Sequence, residues 1–250
     1  MASPTPGPPS AVIRGRPRRP PPGSDHVDTS LAARIRPVSS SRDQLLPLLP
    51  PLSRLLPGGG LQRGAVVVVD TGDGTRTGGE GGGGGGGGAS ALAFALLAAA
   101  SAAGSWCAAV GTGHPGILAI TELGVDLDHL ALVPRPGTPW PEVVASLLDG
   151  MDAVLVHPPG RVRPRAARQL AARARQRRAV LVVLAGPRGW PEGPDVRLTV
   201  EDGRWDGVGA GHGHLRARRV EVVTSGRRSA ASPVRTGLWL PAASGAVTPA

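Results

Sequence analysis

The sequence of 250 residues has no tyrosine and no lysine, a single phenylalanine and a single cysteine. With only five tryptophans beside that phenylalanine, the core must be built from aliphatic side chains, chiefly Ala and Val. The lone Cys107 excludes an internal disulfide and any cysteine-based metal site. The amino terminus has no apolar run of the kind found in secretory signals, so we expect a cytoplasmic protein.

All 28 basic residues are arginine, and the formal net charge is +10. The joint excess of Arg, Ala, Gly and Pro indicates a bias towards GC-rich codons, so part of this charge reflects mutational drift. A net charge of this size still favours an acidic partner, either nucleic acid or an acidic protein surface.

Composition divides the chain into tails, a linker and one folded domain. Residues 1–25 are rich in Pro and Arg and predict a disordered tail, and we expect a second disordered tail over 242–250. Residues 26–55 predict a helical or linker segment with a short helix over 41–49. The folded domain then covers 56–241, interrupted by a glycine-rich insertion at 71–88 that has no unique conformation of its own.

Predicted strands and helices alternate through the first part of this domain. Continuous apolar runs predict strands covered on both faces at 65–69, 106–110, 130–133, 153–156 and 179–184. Helices are predicted at 89–103, 115–124, 141–148 and 164–178. This alternation predicts an α/β fold with a mostly parallel sheet and helices on both faces. Three later strands, at 196–200, 215–223 and 236–240, have no helices between them and predict an antiparallel extension.

An uncharged run of 22 residues, Ala89 to Val110, is long enough to span a bilayer. It is rich in alanine, and Gly104 and Ser105 interrupt it. We therefore interpret it as a buried helix followed by a buried strand.

Several of these segments resemble the RecA family. LPGGGLQRGAVVVV (56–69) resembles the glycine-bearing loop and first strand of the RecA core, and GSWCAAV (104–110) its second strand. ELGVDLDHLALVPRPG (122–137) is the most specific match, and MDAVLVHPP (151–159) occupies the position of the Walker B strand. The chain is most similar to the RecA-like accessory proteins of bacterial mutagenic repair, the ImuA type. The resemblance covers about 50–240 and implies a RecA-like three-layer core.

The nucleotide site that this resemblance implies has lost its chemical groups. A P-loop needs G-x-x-x-x-G-K-[ST], whose lysine reaches the phosphates and whose hydroxyl binds Mg²⁺. The corresponding residues here are Gly86, Gly87, Gly88, Ala89 and Ser90. Ala89 stands in place of the lysine, His157 in place of the Walker B acid, and about Gly113 in place of the water-activating glutamate. We expect no ATP hydrolysis, no cofactor and no catalytic residue.

Two arginine-rich stretches remain as candidate binding surfaces. The segment 161–178 carries eight arginines and no acid, and its Ala167, Leu170, Ala171 and Ala174 lie on one helical face that would pack on the sheet. The candidate residues for nucleic acid or a partner are Arg161, Arg163, Arg165, Arg168, Arg173, Arg175, Arg216, Arg218, Arg219 and the aromatic anchor Trp239. A solvated face in a biased sequence and a surface for phosphates or an acidic protein both remain open.

The other polar candidates favour structural roles. His212 and His214 have no carboxylate or cysteine at matching spacing, so we predict a Gly/His turn and no metal site. Asp126 and Asp128 are predicted turn formers, and Trp140 is predicted to pack on the domain.

The resemblance implies a non-catalytic adaptor in DNA repair, acting in translesion synthesis during the SOS response. Its expected partners are an inactive Y-family polymerase homologue and an error-prone polymerase subunit. Three alternatives remain: a direct DNA-binding protein acting through the arginine stretches, a residual nucleotide-binding enzyme relying on Ser90 and backbone amides, and a cell-division inhibitor. Fold alone does not decide among them.

Overall fold

The computed structural model describes residues 44–70, 88–186, 189–208, 213–227 and 233–250. Within these ranges the strands are β1 (Leu45–Leu46), β2 (Leu61–Gln62), β3 (Val66–Asp70), β4 (Cys107–Val110), β5 (Leu130–Val133), β6 (Ala153–Val156), β7 (Val180–Ala185), β8 (Val196–Val208), β9 (Gly213–Gly226), β10 (Val234–Trp239) and β11 (Thr248–Pro249). The α-helices are α1 (Ala89–Ala102), α2 (Ile117–Glu122), α3 (Trp140–Leu148) and α4 (Pro164–Arg177).

Nine of these strands form one sheet, in the order β11-β10-β9-β8-β3-β7-β6-β4-β5. The strands from β5 to β8 in this order run parallel to one another, whereas β8, β9, β10 and β11 pair antiparallel. The fold is therefore mixed α/β with a large, mostly parallel central sheet and an antiparallel extension, as the alternation of elements predicted.

Each face of the sheet carries its own apolar core. On one face, α1 and α2 pack with Leu52 and Leu55 of a 3-10 helix (Pro50–Leu55). On the other face, α3 and α4 pack with Trp190. The central parallel strands β3, β4, β6 and β7 are buried on both faces, which explains their uninterrupted apolar sequences, whereas β5 at the sheet edge is only partly buried. α1 is apolar around most of its circumference because it is covered on most sides.

The predicted strands and helices between 65 and 185 are confirmed, with ends that differ by a few residues. The uncharged run 89–110 divides as predicted, because α1 ends at Ala102 and Gly104 takes a left-handed φ of 86° before β4 begins. No described helix has the length and apolarity that a membrane span requires.

Three expectations differ from the structure. In place of the helix predicted over 41–49, Leu45–Leu46 form a short strand that pairs with Leu61–Gln62. β8 and β9 are far longer than predicted and form an extended antiparallel ribbon. Residues 242–250, expected as a disordered tail, belong to the domain, since Val247 is buried and Thr248–Pro249 pair with β10. The expectations for 1–43 and 71–87 lie outside the described residues.

Candidate functional site

The start of α1 is the position at which a P-loop would hold phosphates. Gly86 and Gly87 lie outside the described residues, and Gly88 is the N-cap of α1 with a left-handed φ of 96°. The Ala89 side chain is completely buried, whereas Ser90 is exposed. The lysine position of the motif is therefore occupied by a methyl group that packs into the core.

The strand that leads to this position ends in an acid that is already paired. Asp70 is the last residue of β3 and accepts hydrogen bonds of 2.9 and 2.7 Å from Nη1 of Arg197 on the neighbouring β8. Both side chains are about three-quarters buried. The Asp70 carboxylate repels an approaching triphosphate, and the ion pair holds Arg197 beside that carboxylate.

The resemblance aligns two further residues with the Walker B acid and the water-activating glutamate of an ATPase, and both lie at the same edge of the sheet. His157 follows β6, and its backbone N–H donates to the Val110 carbonyl at the end of β4. Burial holds the pKa of the half-buried His157 imidazole below its usual value of 6.5, so the ring is favoured in its neutral form. Gly113 has a left-handed φ of 68° and no side chain to activate water.

A metal centre is not formed by the part of the chain that the structure describes. No group of three His, Cys, Asp or Glu side chains in it is arranged to hold an ion. Cys107 lies at the start of β4, fully buried, and burial together with the nearby Asp152 raises the pKa of its thiol to about 12. Such a thiol is protonated and unreactive at neutral pH.

The arginine-rich helix α4 packs on the sheet through the predicted face, where Ala167, Leu170, Ala171 and Ala174 are buried. Carboxylates from other elements pair with some of its arginines, which the local sequence does not reveal. Arg173 donates a hydrogen bond of 2.6 Å to Asp149 beyond α3, and Arg177 pairs with the same carboxylate. The Arg173 guanidinium keeps the pKa of Asp149 below its usual range. Arg168 pairs with Glu192 at 3.4 Å.

The remaining arginines of this stretch separate into two groups. Arg161, Arg163 and Arg165 lie at the amino end of α4, near the carboxyl ends of the parallel strands, and are exposed. None of the three has an ion pair with a described residue. Arg175 and Arg178 are also exposed and lie at the other end of the helix. Three of the five arginines without a described ion pair are therefore at the start of α4.

The second basic stretch lies on the ribbon of β8 and β9. Trp205 is directly opposite Arg218, and the Arg218 guanidinium lies over the Trp205 ring, 5.6 Å from its centroid. Arg216 shares this ribbon face, whereas Arg219 lies on the opposite face, across from Arg204. Burial lowers the pKa of Arg218, and its Nε has no hydrogen-bond partner among the described residues. Sequence analysis did not single out Trp205, although a tryptophan in a polar strand was a usable signal.

The other candidate residues are placed as follows. Trp239 ends β10 and is half-buried beside Arg219, so only part of its ring is available as an anchor. His212 lies outside the described residues, and His214 accepts a hydrogen bond from Arg216 in β9. Asp126 caps a turn by accepting from the Asp128 N–H, and Trp140 is buried, both as predicted.

Comparison with known proteins shows similarity over part of the chain. Residues 81–192 match the model of a family described as the MT3502 N-terminal domain. A protein of Mycobacterium tuberculosis (strain ATCC 25618 / H37Rv), described as uncharacterized protein Rv3395c, is 47% identical over 98 residues, which are 39% of this chain and 47% of that protein. The chain thus spans about half the length of the curated relative it matches. The family match ends before β8, so the ribbon lies outside it.

Proposed function

We propose that this protein is a non-catalytic RecA-like adaptor in DNA repair, which binds components of translesion synthesis and does not hydrolyse ATP. The observation that carries the proposal is the complete burial of Ala89 at the first turn of α1. Without a lysine there, hydrolysis lacks its main electrostatic stabilisation. A cytoplasmic location is part of this proposal.

The sheet order supports the RecA-like relationship. After β3 the chain crosses to β4, three positions away, and later returns through β6 and β7 to fill the gap. Helices α1 and α2 cover one face and α3 and α4 the other, the arrangement that parallel sheets of nucleotide-binding α/β proteins use. Together with the segment 122–137, this order favours descent from a RecA-type core.

The partner surface of this proposal is the carboxyl edge around the start of α4. Arg161, Arg163 and Arg165 are exposed there without described acidic partners. Ile117 and Leu118 of α2, which are 46% and 72% exposed, follow β4 at the same edge. An acidic protein segment with apolar side chains fits this combination.

The adaptor proposal is tested by affinity capture from nuclease-treated extracts of cells recovering from DNA damage. We expect recovery of a Y-family polymerase homologue or an error-prone polymerase subunit. The triple variant Arg161→Glu, Arg163→Glu, Arg165→Glu should lose it, whereas Arg54→Glu, which changes an exposed arginine on another element, should retain it. Equal recovery by both variants would remove the α4 surface from the proposal. Calorimetric titration with Mg·ATP should give no binding heat, and micromolar affinity would contradict the loss of the nucleotide site.

A second candidate function, direct binding of single-stranded nucleic acid, is favoured by the pairing of Trp205 with Arg218. Trp205 is 41% exposed, so part of its ring remains free to stack on a base while Arg218 and Arg216 contact phosphates. Stacking on one aromatic residue contributes about 1–3 kcal/mol per base.

Fluorescence anisotropy with a labelled oligonucleotide distinguishes this function from the adaptor. Trp205→Ala should weaken binding by about fivefold or more, given that stacking energy. Arg216→Gln should also reduce the dependence of affinity on salt, because one phosphate contact fewer releases fewer counterions. Trp106→Ala, which removes a 50% exposed tryptophan outside the ribbon, serves as the matched control. Unchanged affinity in Trp205→Ala would exclude the ribbon as the binding surface.

A further inference from the structure

A cavity of about 340 Å³ lies at the amino ends of β3 and β8. It is lined by α4, by the start of β3 and by the segment that joins β7 to β8. The Val66 N–H donates to Asp195 Oδ2 at 2.9 Å and so holds the beginnings of the two strands together beside the cavity. The cavity is at the opposite edge of the sheet from Gly88 at the start of α1. Its volume is at the lower end of the range for small-molecule pockets.

Arginines from two different elements line this cavity. Arg168 and Arg175 project from α4, and Arg227 follows β9. Arg168 is paired with Glu192, but the guanidinium groups of Arg175 and Arg227 have no ion pair or hydrogen bond with any described residue. Two unpaired cations at one small cavity create a positive potential that favours an anion.

Two carboxylates also line the cavity, and both are engaged. Glu192 is the partner of Arg168, and Asp195 accepts the Val66 N–H while its backbone carbonyl accepts the Arg227 N–H. Neither carboxylate has an ion pair with Arg175 or Arg227 among the described residues, although the Asp195 charge still offsets one arginine. Three guanidinium groups remain against two carboxylates, which leaves the lining positive.

The indole of Trp190 forms part of the cavity wall. Trp190 is 5% exposed, and its Nε1–H is shielded from the cavity and has no hydrogen-bond partner among the described residues. The Trp190 indole resonance can therefore report on an anion bound nearby without contacting that anion.

The missing side chain of Gly193 leaves space for the Arg227 guanidinium. The Arg227 guanidinium lies directly against its backbone, and a Cβ added at Gly193 would be only 2.8 Å from the Arg227 Cζ. A side chain at this position would push Arg227 away from the cavity wall.

We propose that this cavity binds a phosphate group, with Arg175 and Arg227 contacting its oxygens beside the Trp190 indole. Guanidinium groups match the tetrahedral oxygens of phosphate and remain charged at every physiological pH. The volume accommodates the phosphate and part of the sugar of a mononucleotide. A free nucleotide and the terminal phosphate of a nucleic acid strand share this chemistry.

The test follows the indole N–H resonances of the ¹⁵N-labelled protein during titration with inorganic phosphate. The protein has five tryptophans, and Trp190→Phe assigns the resonance of Trp190. We expect this resonance to shift in a saturable manner with phosphate and not with sodium chloride of equal ionic strength. Arg175→Gln should weaken the response by about tenfold or more, because a hydrogen bond to a charged group is lost. Gly193→Ala should weaken it by displacing Arg227.

The control is Arg54→Gln, which removes an exposed arginine on another element outside the cavity and should leave the titration unchanged. A flat Trp190 resonance, or an equal response in Arg175→Gln and Arg54→Gln, would overturn the proposal. Repeating the titration with AMP and with 5′-phosphorylated and unphosphorylated oligonucleotides separates the sources. Tighter binding of AMP identifies a nucleotide site, and tighter binding of the 5′-phosphorylated strand identifies a strand-end site.

Discussion

The close approach of β4 and β6 at their carboxyl ends can be tested with a matched pair of glycine substitutions. Gly111 has a φ of 72°, and a Cβ added to it would lie far inside van der Waals distance of the His157 carbonyl oxygen. Gly113, two residues later, has almost the same φ, 68°, but a Cβ there would meet nothing within 4 Å. Replacing each glycine with alanine separates two free-energy costs: that of an alanine in the left-handed region, and that of the steric contact with the His157 carbonyl.

The backbone cost is common to both substitutions. An L-residue in the left-handed region costs about 1–2 kcal/mol, and reduced freedom of the unfolded chain recovers about 0.4–1 kcal/mol of this. Gly113→Ala should therefore lower the free energy of unfolding by about 1 kcal/mol. Gly111→Ala adds the forced separation of two buried strand ends, for which overpacking costs of about 1–3 kcal/mol are typical. Gly111→Ala should therefore lower the free energy of unfolding by about 3 kcal/mol in total.

Urea denaturation followed by circular dichroism measures both values. For a domain of this size, a difference of about 2 kcal/mol corresponds to a separation of about 4–8 °C between the melting temperatures of the two variants. Equal destabilisation of Gly111→Ala and Gly113→Ala would refute the reasoning, because the strand ends would then not be in contact as described.

Three further predictions concern the core and two buried ionisable groups. Leu170→Ala should cost about 3 kcal/mol in urea denaturation because it leaves a cavity between α4 and the sheet. Stability should fall as the pH decreases below about 6.5, since the unfolded state binds a proton that the neutral, half-buried His157 does not; urea midpoints between pH 5 and pH 8 measure this. The Cys107 thiol, with its pKa raised to about 12, should react with Ellman's reagent at pH 8 only as fast as the protein unfolds.

Each of these has its own control. Leu118→Ala, at a position 72% exposed, should change the free energy of unfolding by about 0.5 kcal/mol or less. His157→Asn should flatten the acid limb of the stability profile, and an unchanged profile would show that another group is responsible. Rapid stoichiometric modification of Cys107 in the native protein would contradict its burial.

Much of the fold follows from local patterns. The apolar runs that form β3, β6 and β7 predicted a parallel sheet because each run had to be covered on both faces. The small helix-facing residues of α4 were evident from a spacing of three and four. Ala89, on which the expectation of no ATP hydrolysis rests, was equally evident, because a P-loop is a contiguous motif that can be read directly from the chain.

Other features could not be predicted from local pattern. The short pairing of Leu45–Leu46 with Leu61–Gln62 depends on a tertiary contact that overrides local preference. The ribbon of β8 and β9 extends through polar residues that carry no apolar alternation, so its length was underestimated. The eight arginines of 161–178 seemed uncompensated, yet Asp149 and Glu192 pair with three of them from other elements.

The sequence by itself determined the class of fold and the two-sided burial of the central parallel strands. Only the tertiary structure decided which arginines remain free, that Trp205 lies against Arg218, and that Trp190 shares a cavity with Arg175 and Arg227. The physical reason is the separation along the chain of the residues that form each feature. Hydrophobic periodicity and phosphate motifs operate over a few turns of chain, whereas ion pairs and cavities depend on distances that the order of strands in the sheet sets.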